Sequence, residues 1–320
     1  MHTSSLQSVL LWGLLLFVFI IIPAVMWLVP PPFFRSTTVE VLRGSSIAEV
    51  AQSLSTEGVI YSPELIIIPL RISRSSIVAG RYSFNDSLNA VQVVRRLQAG
   101  EFGIPQSEVV IPEGFTNTQI ANRLTEVLGE EYFSQAEFIE EAIDDEGYLY
   151  PDTYHLHPNA TAEEVIRIMR RNFYEQIKTI ETEILSFEHP LEDIVKMASL
   201  IEREAANYED RRRIAGVLWN RIDIGMPLQV DAVFAPLLGK STYDLTREDL
   251  ATDSLYNLHI NTGLTPTPIA NPGLEAIKAT INPINTEDIF YLSDRAGNFY
   301  FAETLDQHNY NRDNFLNAGW

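Results

Sequence analysis

Cysteine is absent from this 320-residue chain, and positive charge is scarce. Without cysteine there can be no disulfide, no thiolate metal site and no thiol nucleophile, although the compartment stays undetermined. The formal net charge is −20, and the longest basic run is Arg211–Arg213. A nucleic-acid-binding protein needs a positive footprint, so that class is disfavoured. The composition, 46% hydrophobic and 21% charged, indicates a globular protein long enough for two domains and an anchor.

Several catalytic motifs are also missing. The chain contains no GxSxG nucleophile elbow, no Walker-type glycine loop and no HExxH pair, so serine-nucleophile chemistry, ATP chemistry and zinc proteolysis are poorly supported. His259 and His308 are possible bases, but neither has a recognisable serine partner. His155 and His157 lack a third ligand nearby. The sequence therefore predicts no metal site and no cofactor.

A long apolar segment lies near the start of the chain. No charged residue occurs from Val9 to Phe34, and a helix needs about 20 apolar residues to cross a bilayer. A cleavable signal peptide is the alternative, but this start has no Lys or Arg and its apolar run is too long. We predict a short tail at 1–8, a transmembrane helix at 9–31 and a proline-rich stalk at 32–37.

Three strand–turn–helix patterns follow the stalk. The first is VEVLRGSSIAEVAQSL and the second is GRYSFNDSLNAVQVVRRLQ, and together they predict a small α+β module at 38–105. The second pattern predicts one apolar helix face, formed by Leu88, Val91, Val94 and Leu97. The third pattern, VVIPEGFTNTQIANRL, predicts a helix capped near Thr116.

For the remainder of the chain, 106–320, we predict a larger mixed α+β domain with its core at 191–320. Helical spacing predicts helices at about 162–185, 191–207 and 209–224, the last ending at Gly225. GYLYPDTYHLHP reads as an aromatic loop. In NPGLEAIKATINP, Asn271 reads as a helix cap and Pro272 as the first helical residue. DIFYLSD and NFYFAET predict a terminal hairpin.

The stretch MASLIEREAA raises the question of whether its acids have a chemical role. A buried stripe is predicted along one face of this helix, formed by Ile194, Met197, Ala198, Ile201 and Ala205. Glu202 and Glu204 fall on opposite flanks, roughly 160° apart, so they cannot form a close pair. Arg203 points away from the core. Taken alone, either Glu is an ordinary boundary residue of an amphipathic helix. The downstream loop, rich in Asn, Gln, Tyr and Pro, favours a sugar cleft.

Several long stretches resemble one family, the endolytic murein transglycosylases of the YceG-like type. They are MASLIEREAANYEDRRRIAGVLWNRIDIGMPLQVDAVF, YNLHINTGLTPTPIANPGLEAIKATINP, FYLSDRAGNFYFAETLDQHN, GYLYPDTY and VVIPEGFTNTQIANRL. The resemblance implies a LysM-like module at 38–105 and a transglycosylase domain at 106–320. It also implies a single-pass plasma-membrane protein with a cytoplasmic N-terminus and an extracytoplasmic catalytic domain.

The activity that this resemblance implies is lytic cleavage of peptidoglycan. The MurNAc–GlcNAc links of nascent glycan strands would break without water, leaving 1,6-anhydro-MurNAc ends and terminating glycan elongation. The implied partners are glycan strands and peptidoglycan synthases. The implied catalytic residue is Glu204, with Glu202 and Asn220 in support. The implied substrate-binding residues are Gln229, Asp231, Tyr256, Asn257 and Asn271.

The sequence departs from the family pattern in three loops. Ala232 and Val233 stand where the family often has Pro-Thr, and Leu258-His259 stand where it often has Thr-Tyr. Thr267 lies in a third altered loop, GLTPTPI. These changes leave the general acid intact and put the loop contacts with substrate in question.

Two alternatives to lysis stay open. One is a wall-binding scaffold that recruits synthetic enzymes without cutting. The other is a muramidase with two carboxylates, for which Asp231 is the second acid to nominate.

Overall fold

The computed structural model describes residues 12–13, 17, 21–73, 76–240, 244–294 and 296–316. The predicted tail at 1–8 and residues 9–11, 14–16 and 18–20 of the predicted span at 9–31 lie outside these residues. Within the described part of the chain, no helix is both long and apolar enough to cross a membrane. The chain divides into two compact units, Met1–Gln106 and Ser107–Trp320, each with its own hydrophobic core.

The first unit packs its helices around one antiparallel strand pair. Its elements are α1 (Ile22–Leu28), β1 (Thr37–Val41), α2 (Ile47–Thr56), α3 (Glu64–Ser73), β2 (Gly80–Phe84) and α4 (Ala90–Ala99). Val39 of β1 lies opposite Tyr82 of β2, and both side chains are buried. Ser46 begins α2 with a capping box, in which its side chain accepts from the backbone N–H of Glu49 and the Glu49 side chain accepts from the backbone N–H of Ser46. The predicted strand–turn–helix order of both patterns is confirmed.

The apolar face predicted for the helix of the second pattern, α4, is wrong in part. Of the four predicted residues, only Leu97 is buried, and α4 buries Ala90 and Val93 beside it. Val91 and Val94 are half-buried at the edge of that face. Apolar residues occupy both sets of helically spaced positions, so spacing alone could not choose between them.

The second unit is mainly helical, and within its described residues the strands form short antiparallel pairs. Its strands are β3 (Ser107–Val110), β4 (Thr153–Leu156), β5 (Phe290–Ser293) and β6 (Phe299–Ala302), with β3 paired to β4 and β5 to β6. Its helices are α5 (Asn117–Leu128), α6 (Gln135–Glu141), α7 (Ala162–Lys178), α8 (Glu181–Ser186), α9 (Leu191–Glu204), α10 (Tyr208–Asp223), α11 (Phe234–Leu238), α12 (Leu274–Ile281) and α13 (Leu305–Asn311). The α+β class and the terminal hairpin are therefore confirmed.

Three predicted elements of this unit need correction. The aromatic stretch GYLYPDTYHLHP is not all loop, because Thr153–Leu156 pairs with β3. The helix predicted over 162–185 is interrupted, since α7 ends at Lys178 and α8 begins at Glu181. The last predicted helix begins at Leu274, with Gly273 as its N-cap. Asn271 cannot cap it because its side chain is engaged with other segments.

Helix α9 forms the centre of this unit. Pro190 precedes it, and Glu192 and Asp193 lie in its first turn, where negative charge complements the helix dipole. Ile194, Met197, Ala198 and Ile201 of the predicted stripe are buried, and α9 packs against α10 and α12. Ala205 is also buried but lies beyond the helix, so the predicted helix end near 207 is wrong. The helix ends at Glu204 because Ala205 turns extended, with φ −142° and ψ 147°. The chain therefore presents Glu204 at the C-terminal end of a rigid, buried element.

Candidate active site

Glu204 is a partly buried carboxyl that is in contact with the hairpin β5–β6, which lies near the C-terminal end of the chain. The phenol of Tyr291 on β5 donates a hydrogen bond of 2.9 Å to its Oε2. Burial raises the pKa of Glu204 to about 7, and the negative charge of Asp231 adds to the rise. Hydrogen bonds from Tyr291 and from the backbone of Ala232 oppose it. A carboxyl with such a pKa can donate a proton near neutral pH.

Glu202 is held differently, although it lies only two residues away. Its carboxylate forms an ion pair with Arg211 of α10 and accepts a 2.9 Å hydrogen bond from the backbone N–H of Gly273. The side chains of this pair are 4% and 6% exposed, for Glu202 and Arg211 respectively. Both carboxylate oxygens are therefore engaged with protein. Glu202 ties α9 to α10 and to the start of α12.

Asp231 and Gln229 lie on the loop that follows α10. Oδ1 of Asp231 is 2.7 Å from Nε2 of His259, and the Asp231 side chain is 48% exposed. Gln229 is exposed and has a φ of +51°, in the left-handed region that residues other than glycine rarely adopt. Its backbone N–H donates to the carbonyl of Leu258 at 2.9 Å. Such backbone strain costs about 1–3 kcal/mol and is common at ligand sites.

The side chains of three predicted site residues, Asn220, Asn257 and Asn271, are hydrogen-bonded to other parts of the protein. The side chain of Asn257 donates to the carbonyls of Leu250 and Thr252, at 3.0 and 2.8 Å, and is fully buried. The side chain of Asn220 donates to the carbonyls of Thr286 and Asp288, at 2.7 and 3.0 Å. Each amide therefore fixes the backbone of a loop, Leu250–Thr252 for Asn257 and Thr286–Asp288 for Asn220.

Asn271 joins three segments through one amide. Its Oδ1 accepts hydrogen bonds from the backbone N–H groups of Gly147 and Leu149, both at 2.9 Å. Its Nδ2 donates to the carbonyl of Phe115 at 3.0 Å and to the side chain of Asn117 at 2.9 Å. Asn271 is 1% exposed, so its side chain is committed to these partners.

A cleft of about 500 Å³ opens beside these segments. Tyr256 lines it, and its hydroxyl is hydrogen-bonded to Thr267 at 2.8 Å. Arg203 lines it too, so this side chain faces a cleft between segments of the fold. The acid in the cleft is Glu146, and the lining residues do not include Glu204. The structure thus brings Tyr256 to the cleft and places Glu204 on the adjacent flank of α9.

Glu146 resembles Glu204 in its electrostatics. Burial raises its pKa to about 7, against the opposing influence of the Asn117 backbone N–H and the charge of Arg203. The Asn117 N–H lies 3.2 and 3.1 Å from its two oxygens, and Nδ2 of Asn271 is 3.3 Å from Oε1. Two carboxyls of the unit can therefore be protonated near neutral pH.

Sequence reasoning missed Glu146 and Tyr291. Glu146 lies in the acidic run DDEG, where a buried acid looks like its solvated neighbours. Tyr291 lies in a hairpin strand, where an aromatic residue is ordinary. The position of Glu146 directly before the aromatic stretch GYLYPDTY is the one available signal.

Residues 39–314 match the sequence profile of the YceG-like family. The chain is similar to the endolytic murein transglycosylase of Bacillus subtilis (strain 168), with 29% identity over 88% of this chain and 86% of the relative.

A relative in Streptococcus pneumoniae serotype 2, also named endolytic murein transglycosylase, is 28% identical over 89% of this chain. The chain covers 59% of that longer relative. Among solved structures, it is similar to the 2.6 Å crystal structure of a yceG-like protein, lmo1499, from Listeria monocytogenes. That match has a TM-score of 0.58 and 29% identity, covering 87% of this chain and 99% of the other.

Proposed function

The chain belongs to the YceG-like family, and on that premise we propose that it is a lytic transglycosylase that cuts peptidoglycan glycan strands internally. The observation that carries this proposal is the carboxyl of Glu204. It lies at the end of a buried helix, has a pKa of about 7 and is hydrogen-bonded to Tyr291. General acid–base catalysis by a positioned group of this kind contributes about 10²- to 10⁴-fold in rate.

One carboxyl suffices for the proposed reaction. Protonated Glu204 donates its proton to the bridging oxygen of a MurNAc–GlcNAc link, and the bond from that oxygen to the anomeric carbon breaks. The carboxylate then accepts the proton of the C6 hydroxyl of the same MurNAc, whose oxygen attacks the anomeric carbon. The products are a free 4-hydroxyl and a 1,6-anhydro-MurNAc end, and Glu204 is again protonated. The intramolecular nucleophile needs no activated water.

The neighbouring residues have supporting roles in this proposal. Tyr291 holds the Glu204 carboxyl, and the Asp231 charge favours its protonated form. Gln229, Asp231 and Tyr256 expose polar atoms that can contact sugar. Glu202, Asn220, Asn257 and Asn271 act as supporting residues, because their polar atoms are bonded to protein.

A two-carboxylate muramidase is the second candidate. The observation that favours it is the solvent-accessible carboxylate of Asp231, whose charge acts on Glu204. In that case Asp231 would activate a water or form a covalent intermediate, and the product would carry a reducing end.

Mass spectrometry of the glycan ends distinguishes these reactions. Wild-type protein incubated with purified peptidoglycan should release 1,6-anhydro ends, and Glu204→Gln should lose at least about 100-fold in rate. Glu209→Gln, which neutralises an exposed acid on the next helix, is the matched control and should keep full activity. Reducing ends would establish the muramidase. Full activity in Glu204→Gln would remove Glu204 from the mechanism.

The cellular setting is a further part of the proposal. The apolar run at 9–31 supports a single membrane anchor, with the LysM-like module at 38–105 and the catalytic domain outside the cytoplasm. Cutting nascent strands beside the membrane would terminate their elongation near peptidoglycan synthases. Fractionation of cells tests the anchor, since deletion of 9–31 should release the protein from membranes.

A further inference from the structure

Helix α9 carries two cations on the face beside Glu204. Lys196 and Arg203 are seven residues apart, so they lie on one side of the helix, two turns and about 10 Å from each other. Lys196 is paired with Glu192 at 2.7 Å.

Arg203 is half-buried and, among the described residues, forms no direct ion pair, although the charge of Glu146 acts on it. Its Nη1 donates a 3.0 Å hydrogen bond to the carbonyl of Gly114. Among the described residues, no carboxylate oxygen lies within 4.0 Å of its guanidinium nitrogens. By contrast, Arg211 on the next helix is paired with Glu202. The guanidinium keeps further donors in a fork that matches a carboxylate.

The space beside Arg203 is large enough for an extended ligand. The cleft of about 500 Å³ adjoins a second cavity of about 200 Å³, lined in part by Lys196. The two cavities share Ile143, Glu146, Thr267 and Pro268 along their common border. The cleft and the cavity together form a groove that passes both cations of α9.

Asp144 and Glu192 line the groove at its Lys196 end, whereas the lining at its Arg203 end is a mixture of apolar and neutral polar side chains around Glu146. Thr116, Thr118 and Gln119 present hydroxyl and amide groups there. Glu146 is the carboxyl that shares the cleft with Arg203, and burial raises its pKa to about 7. In its neutral form Glu146 leaves the positive charge of Arg203 uncompensated. An anionic group on the ligand would supply the missing partner.

We propose that this groove is a carboxylate-binding subsite, in which Arg203 receives an anionic side branch of the glycan strand while Glu204 faces the sugar backbone. This subsite rests on the proposed function. The N-acetylated sugar backbone is neutral, so its carboxylates come from the peptides on MurNAc or, where the peptide has been removed, from the lactyl group. Arg203 therefore selects strands that carry MurNAc over neutral chains of N-acetylglucosamine.

Binding of three soluble oligosaccharides to the full-length protein tests this subsite. The probes are peptide-bearing glycan, amidase-treated glycan with free lactyl carboxylates, and neutral N-acetylglucosamine oligomers. Binding is measured by fluorescence anisotropy in the Glu204→Gln background, so that turnover does not deplete the probe. Added to that background, Arg203→Gln should weaken binding of a carboxylate-bearing probe by about 10- to 100-fold, as loss of a charge-assisted contact does. Binding of the neutral oligomers should stay within about twofold, since they offer no carboxylate.

Matched variants keep this test decisive. Arg203→Lys keeps the charge and loses the fork, so it should fall between wild type and Arg203→Gln. Arg171→Gln removes an exposed charge outside the groove and should change none of the three affinities. Weakening of the peptide-bearing probe alone assigns the peptide carboxylate, weakening of the amidase-treated probe alone assigns the lactyl carboxylate, and weakening of both shows that Arg203 accepts either carboxylate.

Two results would overturn the subsite: equal weakening of all three probes, or no weakening of any. A separate product analysis on wild type keeps the two proposals apart. If wild type releases no anhydro ends while Arg203 still discriminates charged from neutral probes, the lytic function fails and the subsite stands.

Discussion

The phenol of Tyr291 donates a 2.9 Å hydrogen bond to Oε2 of Glu204, a residue 87 positions earlier in the chain. The bond connects the terminal hairpin to the end of α9 and fixes the orientation of one carboxyl. It also lowers the pKa of Glu204, against the larger effect of burial. Tyr291 thus both positions the candidate acid and limits how strongly that acid holds its proton.

Replacing Tyr291 by Phe should change the pH dependence of cleavage. The general acid must be protonated in the free enzyme, so kcat/KM should fall as pH rises through about 7. Without the phenol, the pKa of Glu204 rises and this alkaline limb moves to higher pH, while kcat falls about tenfold because the carboxyl is less well held. Tyr300→Phe, on the same hairpin but bonded to Asp294, should leave the limb unchanged. An unshifted limb in Tyr291→Phe would separate Tyr291 from Glu204 function.

Glu202→Gln should damage stability more than chemistry. The substitution leaves the buried Arg211 guanidinium without its counterion, and breaking such a pair costs about 3–5 kcal/mol. Urea unfolding should show this loss for Glu202→Gln, whereas Glu204→Gln should unfold at or above the wild-type midpoint. A fully stable but inactive Glu202→Gln would show that the acid has a direct catalytic role.

The stability difference between Glu204→Gln and wild type should grow with pH. Burial raises the pKa of Glu204 from 4.5 to about 7, so the folded state binds its proton more tightly than the unfolded chain does. The resulting stabilisation is present in full below about pH 4.5 and is lost as pH rises through 7. Glu204→Gln removes this dependence, so its Tm relative to wild type should increase from pH 5 to pH 8. The corresponding difference in the free energy of unfolding should reach about 1–3 kcal/mol, since one pKa unit is about 1.4 kcal/mol.

The pKa of Glu146 is raised as well, but Glu146 is present in both proteins, so its effect on stability cancels from this comparison. A Tm difference that is constant from pH 5 to pH 8 would contradict the raised pKa of Glu204.

Gly147→Ala should destabilise the domain far more than Gly225→Ala. Both glycines have positive φ, 89° and 66°, so both substitutions carry a similar backbone strain. A Cβ at Gly147 would also lie 2.5 Å from Cγ of Pro268, whereas a Cβ at Gly225 would meet nothing within 4 Å. We expect a loss of about 1 kcal/mol at Gly225 and a loss at least twice as large at Gly147, measured by chemical denaturation. Equal losses would mean that the loop at Pro268 yields freely.

Part of this architecture could be predicted from local patterns. The spacing of Ile194, Met197, Ala198 and Ile201 predicts the buried face of α9, and the structure confirms it. The cap at Thr116 and the terminal hairpin are confirmed as well. Each of these features depends on residues close together in the chain, where period and turn chemistry are informative.

Other features depend on meetings between distant segments. The strand at Thr153–Leu156 exists because β3 pairs with it, and the Asn271 side chain is committed because two other segments, 115–117 and 147–149, converge on it. A local pattern carries no information on such partners.

By itself, the sequence determined that Glu202 and Glu204 leave α9 on opposite flanks, because successive helical residues are about 100° apart. It also indicated, through the family resemblance, which of the two acids to examine. Only the tertiary structure decided what each acid meets: a buried guanidinium from α10 for Glu202, and a phenol from β5 for Glu204. It alone also placed Glu146 and Arg203 in one cleft. Burial and charge compensation are properties of the folded environment, and residues distant in sequence create that environment.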